Sequence, residues 1–419
     1  MPGSPADFLI ENAALVATCA GPAPRKGAAQ REISAITDGA VAAAGGRIVY
    51  VGPARAVHDH ITISPAAVRI DARRGTVIPG FVDAHTHVVY AGDRRGELQR
   101  RLAGATYAEI AAEGGGILRT VAATRAASED DLVSLARRRL DEMAACGTTT
   151  CEVKSGYGLT LESELRQLRA IRRLDAEHAI DLVPTFMGAH DIPAEHRERP
   201  DAYVALVIDE MIPAVAEAGL AEWCDVFCEA GAFTPDQATA ILRAGARAGL
   251  KARIHADELA ASGGAQVAAQ VGARSADHLI FADAAAMDAL ARANVCAVLL
   301  PAAAMYLKLG RYAAARELID RHVPVALASD LNPGGGFAPS LTFAMTLGCF
   351  AMGMMLEEAL IAVTLNAAWS LDRADTIGSL EAGKLMDALV IDGDLTNLIR
   401  VGVSPIRTVI KRGKVIFER

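Results

Sequence analysis

Eight short apolar runs, each followed by a loop and a plausible helix, dominate the middle of this chain and constrain its fold more than any other feature. They end at His87 (VIPGFVDAHTH), Ser155 (TTTCEVKS), His190 (LVPTFMGAH), Glu229 (WCDVFCE), His255 (KARIH), His278 (SADH), Pro301 (VCAVLLP) and Asp330 (VPVALASD). Strands that alternate with helices form parallel sheets, and eight such units predict a (β/α)8 barrel of the α/β class. The first gap is the longest and leaves room for an extra loop around residues 91–118. Most of the runs terminate in His, Asp or Glu at the carboxyl end, where the active sites of such barrels assemble. Stability alone would not require that punctuation.

The ends of the chain have a different texture. Residues 8–17 and 40–52 read as short strands, with Gly45-Gly46 marking a hairpin turn, and 20-AGPAPRKGAAQRE-32 reads as a loop between them. Residues 378–419 return to short strands and turns. The two termini are therefore expected to pair into a small β-sandwich domain, residues 1–78 with 378–419, beside a catalytic barrel spanning 79–377. No internal repeat of 20–50 residues is visible.

At 419 residues the chain is long enough for one large barrel and a satellite. A hydrophobic share of 52% supplies the core, and a formal charge of −8 argues against general nucleic-acid binding. An anionic substrate stays open, because it needs only one or two well-placed arginines. The seven cysteines have no CxxC spacing and read as inert buried thiols, which suits a reducing cytosol. The N-terminus has no basic n-region and no clear cleavage site, so a cytoplasmic location is expected. The apolar stretch 341-LTFAMTLGCFAMGMML-356 is short and interrupted by Thr and Gly; it reads as a packed core helix, with no membrane association.

His85-Thr86-His87 is the first chemical signal. In a strand, residues i and i+2 face the same side, so both imidazoles can reach one metal ion. His255, His278 and Asp330 stand at the ends of three further strands of the same predicted barrel. Three imidazoles and a carboxylate suit zinc or a similar borderline ion with a water completing the shell. The predicted ligands are His85, His87, His255 and Asp330, with His278 just outside.

PGFVDAHTH with a strand-end Asp resembles the amidohydrolase superfamily, and a fuller set of segments resembles its imidazolonepropionase family. These are 85-HTHVVYAGDR-94, 102-LAGATYAEIAAEGGGI-117, 152-EVKSGYGL-159, 188-GAH-190, 227-FCE-229, 255-HADEL-259, 275-SADHL-279 and 329-SDLNPG-334. Superfamily members with two metals use a carboxylated lysine at the end of the fourth strand. Here that strand ends in Glu229, so a single ion, zinc with iron as the alternative, is expected; Lys154 has the right type but lies on the second strand.

The resemblance implies hydrolysis of the cyclic amide of 4-imidazolone-5-propanoate to N-formimidoyl-L-glutamate, in histidine degradation, by a metal-activated water. Asp330 is placed to take the proton, His278 to polarise the carbonyl, and Glu258 to move a proton to or from a ring nitrogen. Arg94 would anchor the substrate carboxylate; Tyr157 and His190 would contact ring or tail; Asn332 and Gly334 would hold the product carboxylate. After DLNPG the family carries a small hydroxyl residue, whereas this chain has Gly335, so that contact is lost or passes to a backbone N–H. A homodimer is expected by analogy. The alternatives are a related mononuclear amidohydrolase acting on another lactam or cyclic ureide, a deaminase, and a catalytically dead scaffold. The last predicts eroded strand-end acids, which are intact here.

Overall fold

The computed structural model describes residues 5–106, 109–110 and 113–419. Of the 102–117 segment, residues 107, 108, 111 and 112 lie outside the described residues.

Five strands precede the barrel: β1 (Ala6–Ala17), β2 (Ala35–Ala44), β3 (Arg47–Pro53), β4 (Ile63–Asp71) and β5 (Thr76–Pro79). The barrel strands are β6 (Phe81–Asp83), β7 (Thr148–Lys154), β8 (Asp181–Ala189), β9 (Trp223–Cys228), β10 (Lys251–Ala256), β11 (Ser275–His278), β12 (Cys296–Leu299) and β13 (Val325–Leu327). Then β14 (Ala388–Ile391), β15 (Ile406–Lys411) and β16 (Lys414–Glu418) close the chain.

β6 to β13 pair in sequence order, every pair parallel, as the βα alternation predicts. The seam between first and last strands closes just beyond their regular ends. There Asp330 N donates to His85 O at 3.1 Å and His87 N to Leu331 O at 2.9 Å. The residues predicted to bind metal thus supply the backbone that shuts the barrel.

Both termini build one connected mixed sheet, with β5 bonded to β1 on one side and to β14 on the other. The hairpin expected at Gly45-Gly46 joins β2 to β3. The sheet extends one residue past the expected boundary, to Pro79. Helix starts on the barrel's exterior follow local sequence: Ser128 caps residues 129–145 reciprocally with Asp131, and Thr234 caps residues 235–247 with Gln237 behind Pro235.

All seven cysteines are free, five of them buried. The expected core helix at 341–356 is shorter, Leu341–Met352, and only one face is covered: Leu341, Ala344, Met345 and Gly348 are buried while Phe350 is 78% exposed. Its uniformly apolar composition concealed an outward side. No helix among the described residues is long and apolar enough to cross a membrane.

The terminal sheet is pinned to the barrel by charge. Lys411 Nζ on β15 lies 2.6 Å from Asp387 and 2.7 Å from Asp181, the first residue of β8. Removing one partner of a buried ion pair leaves the other charge uncompensated. Lys411→Met is expected to lower unfolding free energy by about 3–5 kcal/mol, measured by denaturant titration.

Candidate metal centre and active site

At the carboxyl end of the barrel four imidazoles and a carboxylate converge. His85, His87 and Asp330 form one group, and His85, His255 and His278 another, each with ligand atoms within 4.8 Å of one another. His87 Nε2 lies 3.4 Å from His255 Nε2, and Asp330 Oδ1 lies 3.5 Å from His85 Nε2 and 3.8 Å from His87 Nε2. All five side chains are buried. The predicted quartet His85, His87, His255 and Asp330 is brought together, and His278 joins it more closely than expected.

Two of these rings are held from behind. His85 Nδ1 meets Asp277 Oδ2 at 2.6 Å, and His255 Nδ1 meets Asp225 Oδ1 at 3.0 Å. A carboxylate at Nδ1 fixes the proton there and leaves Nε2 as the free lone pair, the arrangement a metal-ligating histidine needs. Burial, with Lys154 next, pulls His85 well below the ordinary imidazole range. Burial likewise lowers His87 and His278, so all three stay neutral. Metal ligation requires neutral imidazole. His85 Nε2, fully buried, has no hydrogen-bond partner. An ion fits this donor set. Burial pushes Asp330 up to about 7, opposed by His255, and ligation to an ion would return it to carboxylate.

Backbone conformation re-aims two of these groups. By strand alternation His278 should face away from Asp277, which points into the barrel. Instead His278 has φ 76°, swinging its ring to 5.3 Å from that of His255. Asp330 also takes a left-handed φ of 52°. Non-glycine residues held in this region concentrate at functional sites, where surrounding contacts maintain the strain.

The cavity above the cluster is lined by Arg94, Tyr157, His190, Glu258, Asn332 and Gly335 among the residues singled out in the sequence, and by Ile117, Phe227, Leu259 and Leu307. Arg94 is buried, its Nε bonded to Glu97 at 2.8 Å. His190 Nδ1 meets Gly156 O at 3.0 Å, and burial, followed by His255, lowers its pKa to about 3. It is therefore a neutral ring with Nε2 available as acceptor. Glu164 gathers the Tyr157 loop, accepting from the N–H groups of Gly156, Gly158 and Leu159 at 3.0, 2.8 and 2.8 Å.

Glu258 sits in the loop after β10, before the helix that begins at Gly264. Burial, then Asp330 and Glu229, pushes its carboxyl well above the usual range. Its Oε1 is 3.5 Å from His278 Nδ1. The strand-end Glu229 anchors this loop, its Oε2 accepting from Glu258 N and Leu259 N at 2.9 and 2.8 Å.

Gly334 lies against the Arg94 guanidinium, and its carbonyl accepts from Arg101 Nη2 at 2.6 Å. The N–H groups of Gly334 and Gly335 both donate to Asn332 Oδ1, at 2.8 and 2.7 Å, and Asn332 Nδ2 donates to Asp330 O. The Gly335 N–H is thus engaged within the loop, and Asn332 both lines the cavity and shapes the Asp330 loop.

Sequence reading missed Asp225, Asp277, Glu152 and Arg253, all fully buried. The signal was present as charges inside apolar strands two residues from a named one: Arg253 before His255, Glu152 before Lys154.

An eight-stranded parallel barrel with a His/Asp cluster at its carboxyl mouth is the framework of a metal-assisted hydrolase, and the sequence profile of the amidohydrolase family matches residues 76–416. Imidazolonepropionase of Alkaliphilus metalliredigens is 47% identical over 416 residues, covering 99% of this chain and 98% of the other. That of Symbiobacterium thermophilum is 48% identical over 417 residues, with the same coverage. The chain belongs to the imidazolonepropionase family of amidohydrolases. Among solved structures, 5-methylcytosine deaminase from Klebsiella pneumoniae liganded with 5-fluorocytosine superposes with a TM-score of 0.75 at 20% identity, covering 98% of each chain. A triazine hydrolase variant gives 0.74 at 19%, covering 98% of this chain and 94% of that one. These two share the fold.

A Cβ at Gly336 would overlap the Asp330 carbonyl oxygen, a backbone atom that cannot move aside cheaply. Gly336→Ala is expected to displace Asp330 and lower the metal retained after gel filtration, read by elemental analysis, with far-ultraviolet circular dichroism unchanged.

Proposed function

We propose that the chain hydrolyses the ring amide of 4-imidazolone-5-propanoate to N-formimidoyl-L-glutamate, with one metal ion per chain, zinc or alternatively iron. The observation that carries this reading is one cavity with a buried guanidinium at one end and the His/Asp cluster at the other. A small ring with a carboxylate tail matches that polarity, and the imidazolonepropionases at 44–48% identity support it.

His85, His87, His255 and Asp330 would hold the ion, with His278 adjoining. Bound there, it would polarise the carbonyl and make an attacking water acidic near neutral pH. Arg94 binds the carboxylate tail with parallel N–H donors, its guanidinium held by Glu97. Neutral His190 accepts a ring N–H at Nε2, and Tyr157, packed at 5.1 Å against it, flanks the ring. Asp330, beside the reacting carbon, takes the water proton. His278 donates toward the carbonyl oxygen. Glu258, whose carboxyl pKa burial raises, acts in its protonated form and passes that proton to the departing ring nitrogen.

Metal-loaded protein is expected to turn over freshly prepared 4-imidazolone-5-propanoate and to lose activity on chelation. Asp330→Asn should reduce kcat to near background. Glu258→Gln should lower kcat by about 10²–10⁴-fold with KM little changed, because the amide keeps a donor but cannot give up a proton. Arg94→Met should instead raise KM about 10- to 100-fold, the size of a lost charge-assisted contact. Bound metal without turnover would place the substrate elsewhere among lactams and cyclic ureides.

A further inference from the structure

Beneath the imidazoles lies a second, fully enclosed layer of charge. Lys154 Nζ is 2.7 Å from Asp225 Oδ2, 2.8 Å from Glu152 Oε1 and 3.7 Å from Asp277 Oδ2. Arg253 flanks the same group, 3.5 Å from Asp277 Oδ2, and is fixed by bonds to Ala84 O and Ser370 O. Asp225 is the carboxylate behind His255, and Asp277 the one behind His85. Their strands, β9 and β11, are not neighbours, since β10 runs between them. Arg253 reaches Asp277 from the intervening β10, and Lys154 reaches both carboxylates across the barrel interior from β7.

We propose that Lys154 is a positioning residue that ties Asp225 to Asp277 and thereby sets the His255 and His85 rings in one fixed relation to each other. Three carboxylates of one sign could not stay packed in a dry interior without a cation among them. A lysine suits the position: its compact ammonium has three donors that can point to carboxylates on different strands, whereas a planar guanidinium is matched to one. Lys154 therefore acts on the metal ligands through their supports and touches neither ion nor substrate.

The inference rests on the metal-site reading above, and its test separates the two. The full chain is prepared apo, and zinc affinity is measured by chelator competition, beside kcat and KM. Asp225→Asn and Asp277→Asn are each expected to weaken zinc about 10- to 100-fold, the usual effect of removing a ligand's support. If Lys154 couples them, the double variant loses much less than the product of the two factors, because the first change already releases the lysine from its bridging position. Losses that multiply would overturn the proposal. Glu152→Gln/Lys154→Met removes a matched pair of opposite charges and so guards against simple misfolding. It is expected to weaken zinc at least 10-fold and to lower kcat with KM within twofold, because the Arg94 end is untouched. Native zinc affinity and kcat in that variant would reduce Lys154 to a space-filling role. Absence of stoichiometric zinc in the unaltered protein would instead overturn the metal-site reading, and this inference with it.

Discussion

Two hydrogen bonds inside the barrel, His85 to Asp277 and His255 to Asp225, set the conditions for everything above them. Each places the ring proton on the buried nitrogen and presents the other nitrogen to the cavity. Burial holds His85 well below the ordinary imidazole range and by itself would raise the Asp225 carboxyl. Asp225 nonetheless lies well below the usual carboxylate range: burial opposes this, and Lys154 and His255 outweigh it. Lys154 in turn stays charged against its own burial because Asp225 and Glu152 surround it. The interior is stable as a closed set of mutual dependencies, in which no single charge could be left behind.

The cavity repeats this division of labour. One end is cationic and rigid, with Arg94 tied to Glu97, whose other oxygen accepts from Gly116 N at 3.0 Å. The other end holds two buried carboxyls: Asp330, pushed up to about 7, and Glu258, which burial also raises. A reaction that takes a proton from water and returns one to nitrogen needs two acids of unlike proton affinity. The loops place Asp330 beside the imidazoles of the cluster and Glu258 over an anchoring Glu229.

The barrel, its strand count and the pairing of the termini were legible because they follow from periodicity and from where apolar runs stop. The histidines of the cluster were legible as a group because they punctuate those runs. Asp225 and Asp277 were not, since each lies within an apolar strand and its role depends on which residue faces it across the barrel, as His255 sits level with Asp277 in the β10–β11 register. The nearness of His278 to the cluster depends on a left-handed backbone that strand parity does not foresee. The loop bonds of Asn332 were not legible either, since an amide beside Gly-rich backbone also satisfies its neighbours' N–H groups. The outward face of 341–352 was hidden by a composition that is apolar on every side.

The seam of the barrel has a consequence for how this architecture can diversify. The two hydrogen bonds that join first strand to last are made by the main chain of His85, His87, Asp330 and Leu331. A rearrangement that moved the ligands would open the cylinder, so foldability and chemistry are inherited as one unit. The loops carrying Arg94, Tyr157 and Glu258 close no such seam and can be exchanged without unzipping it. Lineages built on this frame are therefore free to change what they recognise and are bound to keep how they react.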